Sequence, residues 1–121
     1  MSRQITFAVL ALLVLGGLFV TLRPDGSNAG PQDARFNVSI NGDAMEPNEF
    51  TVRDGDTVTF QIKADRELDL HFHGYDEAVA VKDSETATLS FEANKTGSWP
   101  IEEHETEAEL GKLVVQPREG N

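Results

Sequence analysis

Cysteine is absent from this sequence of 121 residues. Disulfide bonds, thiolate metal ligands and a thiol nucleophile are therefore excluded. Basic residues are also scarce, since 10 Lys and Arg stand against 21 Asp and Glu and give a formal net charge of −11. Because such a surface repels phosphate backbones and anionic headgroups, we expect no nucleic-acid partner. An acidic surface of this kind mainly keeps a protein soluble.

Sequence signatures of common enzyme classes are missing as well. The chain has no nucleophile elbow, no phosphate-binding loop and no dinucleotide-binding fingerprint. We therefore predict that it is not an enzyme. The remaining enzymatic alternative is a catalytic zinc held by histidines, with Glu103 as general base, but no segment indicates a substrate pocket.

The long hydrophobic run of the chain lies at its N-terminus. Residues 5–22 (ITFAVLALLVLGGLFVTL) carry no charge, and their length is at the lower end of what spans a bilayer. Arg3 precedes the run, which favours a cytoplasmic N-terminus and an exported remainder. We expect residues 1–23 to be a signal anchor in the inner membrane, with the rest in the periplasm or outside the cell. A cleaved signal peptide is the alternative.

The rest of the chain divides into a linker, one domain and a tail. Residues 24–34 are rich in Gly, Pro, Ser, Asn and Asp and lack apolar periodicity, which predicts a flexible linker. Residues 35–118 form the predicted domain, and residues 119–121 are a short tail.

Within the domain, apolar residues recur with a period of two, the repeat of a β-strand rather than of a helix. Turn-forming clusters separate the alternating segments. The pattern predicts about seven or eight short strands, and at most one helical turn within residues 102–110, which is typical of an all-β sandwich. The predicted strands contain residues 36–40, 50–52, 58–62, 68–72, 89–91, 99–101 and 113–115.

The three histidines fall into two segments. His71 and His73 stand two apart in one predicted strand, so their side chains point to the same side. His104 follows a later strand in a glutamate-rich segment that includes Glu103. If folding brings these segments together, imidazoles and one carboxylate would form a site for a divalent metal. The alternative is that the histidines are ordinary exposed polar residues.

Four motifs resemble the cupredoxin superfamily. They are GDTVTF at 55–60, LDLHFHGYD at 68–76, SFEANKTGSWPIEEH at 90–104 and LGKLVV at 110–115. The likeness is to bacterial cupredoxin-like proteins with an N-terminal membrane segment, and also to the cupredoxin-like domain of periplasmic iron-uptake proteins. This resemblance implies a cupredoxin-like Greek-key β-sandwich for the domain.

The resemblance also implies where metal ligands would lie. In cupredoxins one histidine follows the fourth strand, and a Cys, a second His and often a Met come from the loop before the last strand. Transferred by position, His71 or His73 is the first ligand and His104 the second. The cysteine position falls on Ile101 or on Glu103, depending on the register, and the methionine position falls near Glu109. None of these residues supplies sulfur.

A blue-copper centre depends on the Cu–thiolate bond, so we expect no blue-copper electron transfer. The leading hypothesis is an exported, membrane-tethered protein that handles copper, or else zinc or iron, through His71, His73, His104 and Glu103. Its partner would be a metal-transport protein or a metalloenzyme. The alternative hypothesis is a metal-free sandwich that serves as an interaction or assembly module at the membrane surface.

Two further side chains have a structural and a metal-related interpretation. Met45 is expected to pack in the fold, with Cu(I) ligation as the alternative. Asp76 is expected to belong to a turn with Gly74 and Tyr75, and its alternative role is to orient a ligand imidazole.

Overall fold

Two β-sheets form the fold. The computed structural model describes residues 30–118. The first sheet has the strand order β2-β1-β4-β7 and the second has the order β3-β9-β8-β5-β6. The strands are β1 (Asp33–Asn41), β2 (Ala44–Glu46), β3 (Glu49–Arg53), β4 (Asp56–Ala64), β5 (Leu68–Phe72), β6 (Glu77–Val81), β7 (Thr86–Ala93), β8 (Gly97–Glu103) and β9 (Glu109–Gln116).

The predicted all-β class is confirmed, but the expected number of strands is too low, because the described residues contain nine. The two strands that were not predicted are β2 and β6. β2 has only three residues. In β6 the exposed positions are Ala78 and Ala80, so no polar residue alternates with Val79 and Val81 in the sequence. One turn follows β8 at residues 104–106, and it is closed by a hydrogen bond of 2.8 Å from the Glu107 amide to the Glu103 carbonyl, the i to i+4 bond of a single helical turn, as the sequence allowed.

The predicted membrane segment, most of the predicted linker and the tail at 119–121 lie outside the described residues. β1 begins at Asp33, within the last part of the predicted linker. Within residues 30–118, no helix has the length and apolar character required to cross a bilayer.

Five phenylalanines form the centre of the core between the sheets. Phe36, Phe60 and Phe91 come from the first sheet, and Phe50 and Phe72 come from the second. The ring centroid of Phe60 lies 5.1 Å from that of Phe50 and 4.9 Å from that of Phe72. Aromatic pairs of this kind contribute about 0.5–1.5 kcal/mol each beyond the burial of their area. These contacts hold the sheets together through their inner faces and leave the alternate residues on the outer faces.

The turn after β5 is held by an aromatic corner that we define as Gly74, Tyr75, Lys95 and Trp99. The indole Nε1–H donates to the Lys95 carbonyl at 2.9 Å, and the Tyr75 hydroxyl donates to the same carbonyl at 2.7 Å. The Lys95 ammonium donates to the Gly74 carbonyl at 2.6 Å. Gly74 has a φ of 86°. The predicted turn at residues 74–76 is therefore present, and the corner fixes the position of His73 directly before it.

Replacing Gly74 by alanine is expected to lower the free energy of unfolding by about 2–4 kcal/mol, since it combines a clash with an unfavourable positive φ. A Cβ at this position would lie 2.3 Å from Cε3 of Trp99. Gly42→Ala is the matched control, because Gly42 has a φ of 59° and its Cβ would meet nothing within 4 Å. The control should cost only about 1–2 kcal/mol. Urea unfolding measures both variants, and equal losses would contradict the clash.

Candidate metal site

Strand pairing brings the two histidine-bearing segments together. β5 runs antiparallel to β8 with His71 opposite Glu102. Next to this pair, the His104 amide donates a hydrogen bond of 2.9 Å to the Asp69 carbonyl. His104 therefore lies diagonally across from His71, and long side chains can bridge such a diagonal on an antiparallel sheet. The two segments are adjacent, as the metal hypothesis requires.

His71 and His73 lie side by side on the outer face of the second sheet. Their side chains are 30% and 42% exposed. The centroids of the two imidazole rings are 4.5 Å apart. Leu70 and Phe72, which alternate with them, are buried in the core. The strand therefore presents two neighbouring imidazoles to solvent while its other face anchors the sheet.

Glu102 is the carboxylate that contacts this pair. Its Oε1 lies 2.8 Å from Nε2 of His73. An ionised carboxylate can only accept a hydrogen bond, so Nε2 of His73 is the donor in this pair, and in the neutral imidazole Nδ1 then has the free lone pair. Oδ1 of Asp76 lies 3.7 Å from Nε2 of His71, which is too long for a hydrogen bond. Glu102 thus fixes which nitrogen of His73 is available to a ligand.

Glu103, the carboxylate named from the sequence, faces the other way. Its residue exposure is 6%, and it accepts hydrogen bonds of 2.8 Å and 3.0 Å from the Arg66 guanidinium. The Thr106 hydroxyl donates to it as well, at 3.3 Å. The hydrogen bond from Arg66 holds the pKa of Glu103 below its usual value, against the opposing effect of burial. Its ligand role stays a prediction, but both oxygens already have partners within the fold.

The side chains do not converge as they stand. Among residues 30–118, no group of three or more His, Asp or Glu side chains is placed so that it could hold a metal ion. His71, His73 and Glu102 contact one another as described above, whereas the side chain of His104 is exposed to solvent. A third imidazole ligand would therefore require His104 to change its rotamer.

The positions that correspond to sulfur ligands in cupredoxins do not fit a blue-copper centre. Ile101 is part of the buried core, Glu103 is paired with Arg66, and Glu109 is exposed. Met45 is buried as well, as its packing interpretation predicted, and its sulfur lies 2.8 Å from where a Cβ on Gly111 would be. The donor set on the outer face consists of imidazole nitrogens and carboxylate oxygens, which suits Cu(II) or Zn(II) without a thiolate.

Glu103→Gln is expected to lower the free energy of unfolding near neutral pH by about 1–3 kcal/mol, because the charge-assisted hydrogen bonds from Arg66 are weakened. The pKa of Glu103 is lowered from 4.5 in the folded state. Its stabilising effect is therefore complete above that unfolded-state pKa and is lost as the pH falls through the folded-state pKa. Urea unfolding at neutral pH and at about pH 3 should show the gap between variant and wild type closing in acid. A gap that is equal at both pH values would contradict the ion pair's role.

Comparison with solved structures identifies the fold. The blue copper oxidase from Nitrosomonas europaea matches with a TM-score of 0.60 and 19% identity over 74% of this chain and 40% of its own. Auracyanin A, a "blue" copper protein from Chloroflexus aurantiacus, matches with a TM-score of 0.59 and 17% identity over 69% of this chain and 99% of its own. A copper-binding protein solved in its apo form has a TM-score of 0.60 and 11% identity, over 72% and 97%.

These likenesses concern the fold. The chain spans only 40% of the length of the oxidase but nearly all of the two smaller proteins. No protein-family model matches the chain, and no curated protein matches it in sequence. The described domain has a cupredoxin-like fold, as the sequence motifs predicted.

Proposed function

We propose that this chain is an exported, membrane-tethered, cupredoxin-like protein that binds copper(II), or another divalent metal, through histidines on the outer face of its second sheet. The register of β5 against β8 carries the proposal, because it brings together His71 and Glu102 on the two strands, and His73 and His104 directly after them. The role is metal handling rather than blue-copper electron transfer, since the chain has no cysteine.

The three histidines would contribute to metal binding in different ways. His73 would bind through Nδ1, because its Nε2 donates to Glu102 in the manner of carboxylates that orient metal-bound imidazoles. His71 stands beside it as the second imidazole. His104 is exposed, so its side chain can change rotamer at little cost and supply a third nitrogen.

Exposure of the imidazole pair favours a handling role. Side chains that are 30% and 42% exposed leave a bound metal open to exchange with solvent or with a second protein. The solved structures with this fold include a "blue" copper protein and a copper-binding protein, which makes Cu(II) the first metal to test. A metal-transport protein or a metalloenzyme is the class of partner that an open site on an exported domain would serve.

Tethering and export rest on the apolar run at residues 5–22 with Arg3 before it. An anchored domain would work at the surface of the inner membrane, on its periplasmic or outer side. The net charge of −11 would attract cations to that surface.

A metal-free interaction module is the second candidate. The hydrogen bond between His73 and Glu102 satisfies both groups without a metal. In addition, no three ligand side chains within residues 30–118 converge as placed. Under this alternative the histidines are surface residues and the domain serves only as a docking unit.

Calorimetric titration of the full chain with Cu(II) decides between the two. We expect micromolar or tighter binding and no intense blue absorption band, since no thiolate is present. Replacing His71 and His104 together by alanine should abolish binding. Absence of any uptake by the wild-type chain would leave the metal-free module as the function.

Two neighbouring glutamates provide a matched pair of variants. Glu102→Gln should weaken Cu(II) binding by about 10-fold or more, because the amide no longer accepts the His73 proton with a full negative charge. Glu103→Gln changes the next residue on the same strand but on the inner face, and it should leave the affinity unchanged. If only Glu103→Gln weakened binding, the ligand set named from the sequence would be right and the role given to Glu102 wrong.

A further inference from the structure

The edge strands of the two sheets differ in how well they are protected against pairing with a strand of another chain. β2 and β7 are the edge strands of the first sheet, and β3 and β6 those of the second. β7 has eight residues, whereas β3 and β6 have five each and β2 has three. Within residues 30–118, β7 forms a β-ladder with β4 alone, so one row of its backbone N–H and C=O groups is not paired with another strand, although β6 packs near it without forming a ladder.

Edge strands of β-sheets are usually protected against pairing with another chain by charged side chains, by proline, by bulges or by short length. β2 is followed directly by Pro47, and β3 carries charges at both ends, Glu49 and Arg53. β7 has none of these features over its first six residues, and Glu92 is its one charged side chain. Its register with β4 runs without a bulge from Lys63–Thr86 to Asp56–Ala93. It is therefore a long, regular and nearly uncharged edge.

The outer face beside this edge is electrically balanced. On β1, β4 and β7 the outward charged residues are Asp33, Arg35, Lys63 and Glu92, which sum to zero. The other outward side chains on these strands are all hydroxyls or amides, among them Asn37 on β1, Gln61 on β4 and Thr88 on β7. Two of them, Thr59 and Ser90, share a hydrogen bond of 3.0 Å between strands. Although the chain has a net charge of −11, these three strands therefore add no net charge to the repulsion between two copies that meet on this face.

We propose that β7 is a self-association edge, on which the β7 strand of a second copy pairs antiparallel about a two-fold axis. An antiparallel strand is complementary to an identical strand, so the free peptide groups of both copies find partners at once. The single charged residue, Glu92, lies near one end of the strand, so the two-fold axis places the two carboxylates at opposite ends of the pair. The half-buried side chains of Ala87 and Leu89 would also be covered.

This interface is independent of the proposed metal site. The histidines lie on the second sheet, and β7 belongs to the first. Association should therefore persist in the presence of a chelator, and its failure would not bear on Cu(II) binding.

Sedimentation equilibrium of the full chain, in detergent with micelles in excess and chelator present, tests the proposal. We expect the mass to rise from monomer to dimer with concentration. Thr88→Lys should weaken the dimer by at least about tenfold, because each copy then brings a charge to the shared edge. Asn37→Lys is the matched control. Asn37 lies in the same cross-strand row as Thr88, because both pair with Gln61, but it is on β1, two strands away from the β7 edge. A monomer at every concentration, or equal effects of the two variants, would overturn the proposal.

A cross-linking experiment covers the case in which the lysine variant fails to fold. Because the chain has no cysteine, Thr88→Cys introduces a single thiol, and a short bismaleimide can then join only two copies of the chain. We expect dimers to form much faster from Thr88→Cys than from Asn37→Cys. Equal rates at the two positions would show that β7 is not the contact.

Discussion

The register of β5 against β8 is the constraint on which both the core and the candidate site depend. With His71 opposite Glu102, the inner face of this pair carries Leu70, Phe72 and Ile101, and the outer face carries His71 and Glu102 themselves. A slip of one residue would bury the imidazoles and expose Phe72, which contacts the central Phe60. The energy that fixes the core therefore also fixes the histidines as neighbours on the surface.

Because successive side chains of a strand point to opposite faces, the adjacent residues Glu102 and Glu103 of β8 have different roles. Glu102 points outward and accepts the proton of His73, whereas Glu103 points inward and accepts hydrogen bonds from Arg66. The inward carboxylate is tolerated because a guanidinium neutralises it, since an unpaired buried charge would cost several kcal/mol. The outward one remains partly exposed and can adjust to a ligand. The same residue type thus stabilises the fold on one face and orients an imidazole on the other.

Strong alternation was enough to predict the class of the fold and the main strands, because burial of one face forces the period-two pattern. β2 and β6 were missed because one is very short and the other has alanines where polar residues would mark an outer face. The proximity of His71 and His73 followed from their spacing. The sequence did not show which of Glu102 and Glu103 lies beside the histidines. The register of β8 shifts between Ile101 and Glu102, and Arg66, the partner of Glu103, lies 37 residues away along the chain.

The central claim is that the imidazoles of His71 and His73 form a metal site on an outer sheet face. Electron paramagnetic resonance of the full chain loaded with one equivalent of Cu(II) tests this claim most directly. The account predicts nitrogen couplings from more than one imidazole, which lose a component in His71→Ala and in His73→Ala alike. A spectrum without imidazole couplings, or one that neither substitution alters, would contradict the account.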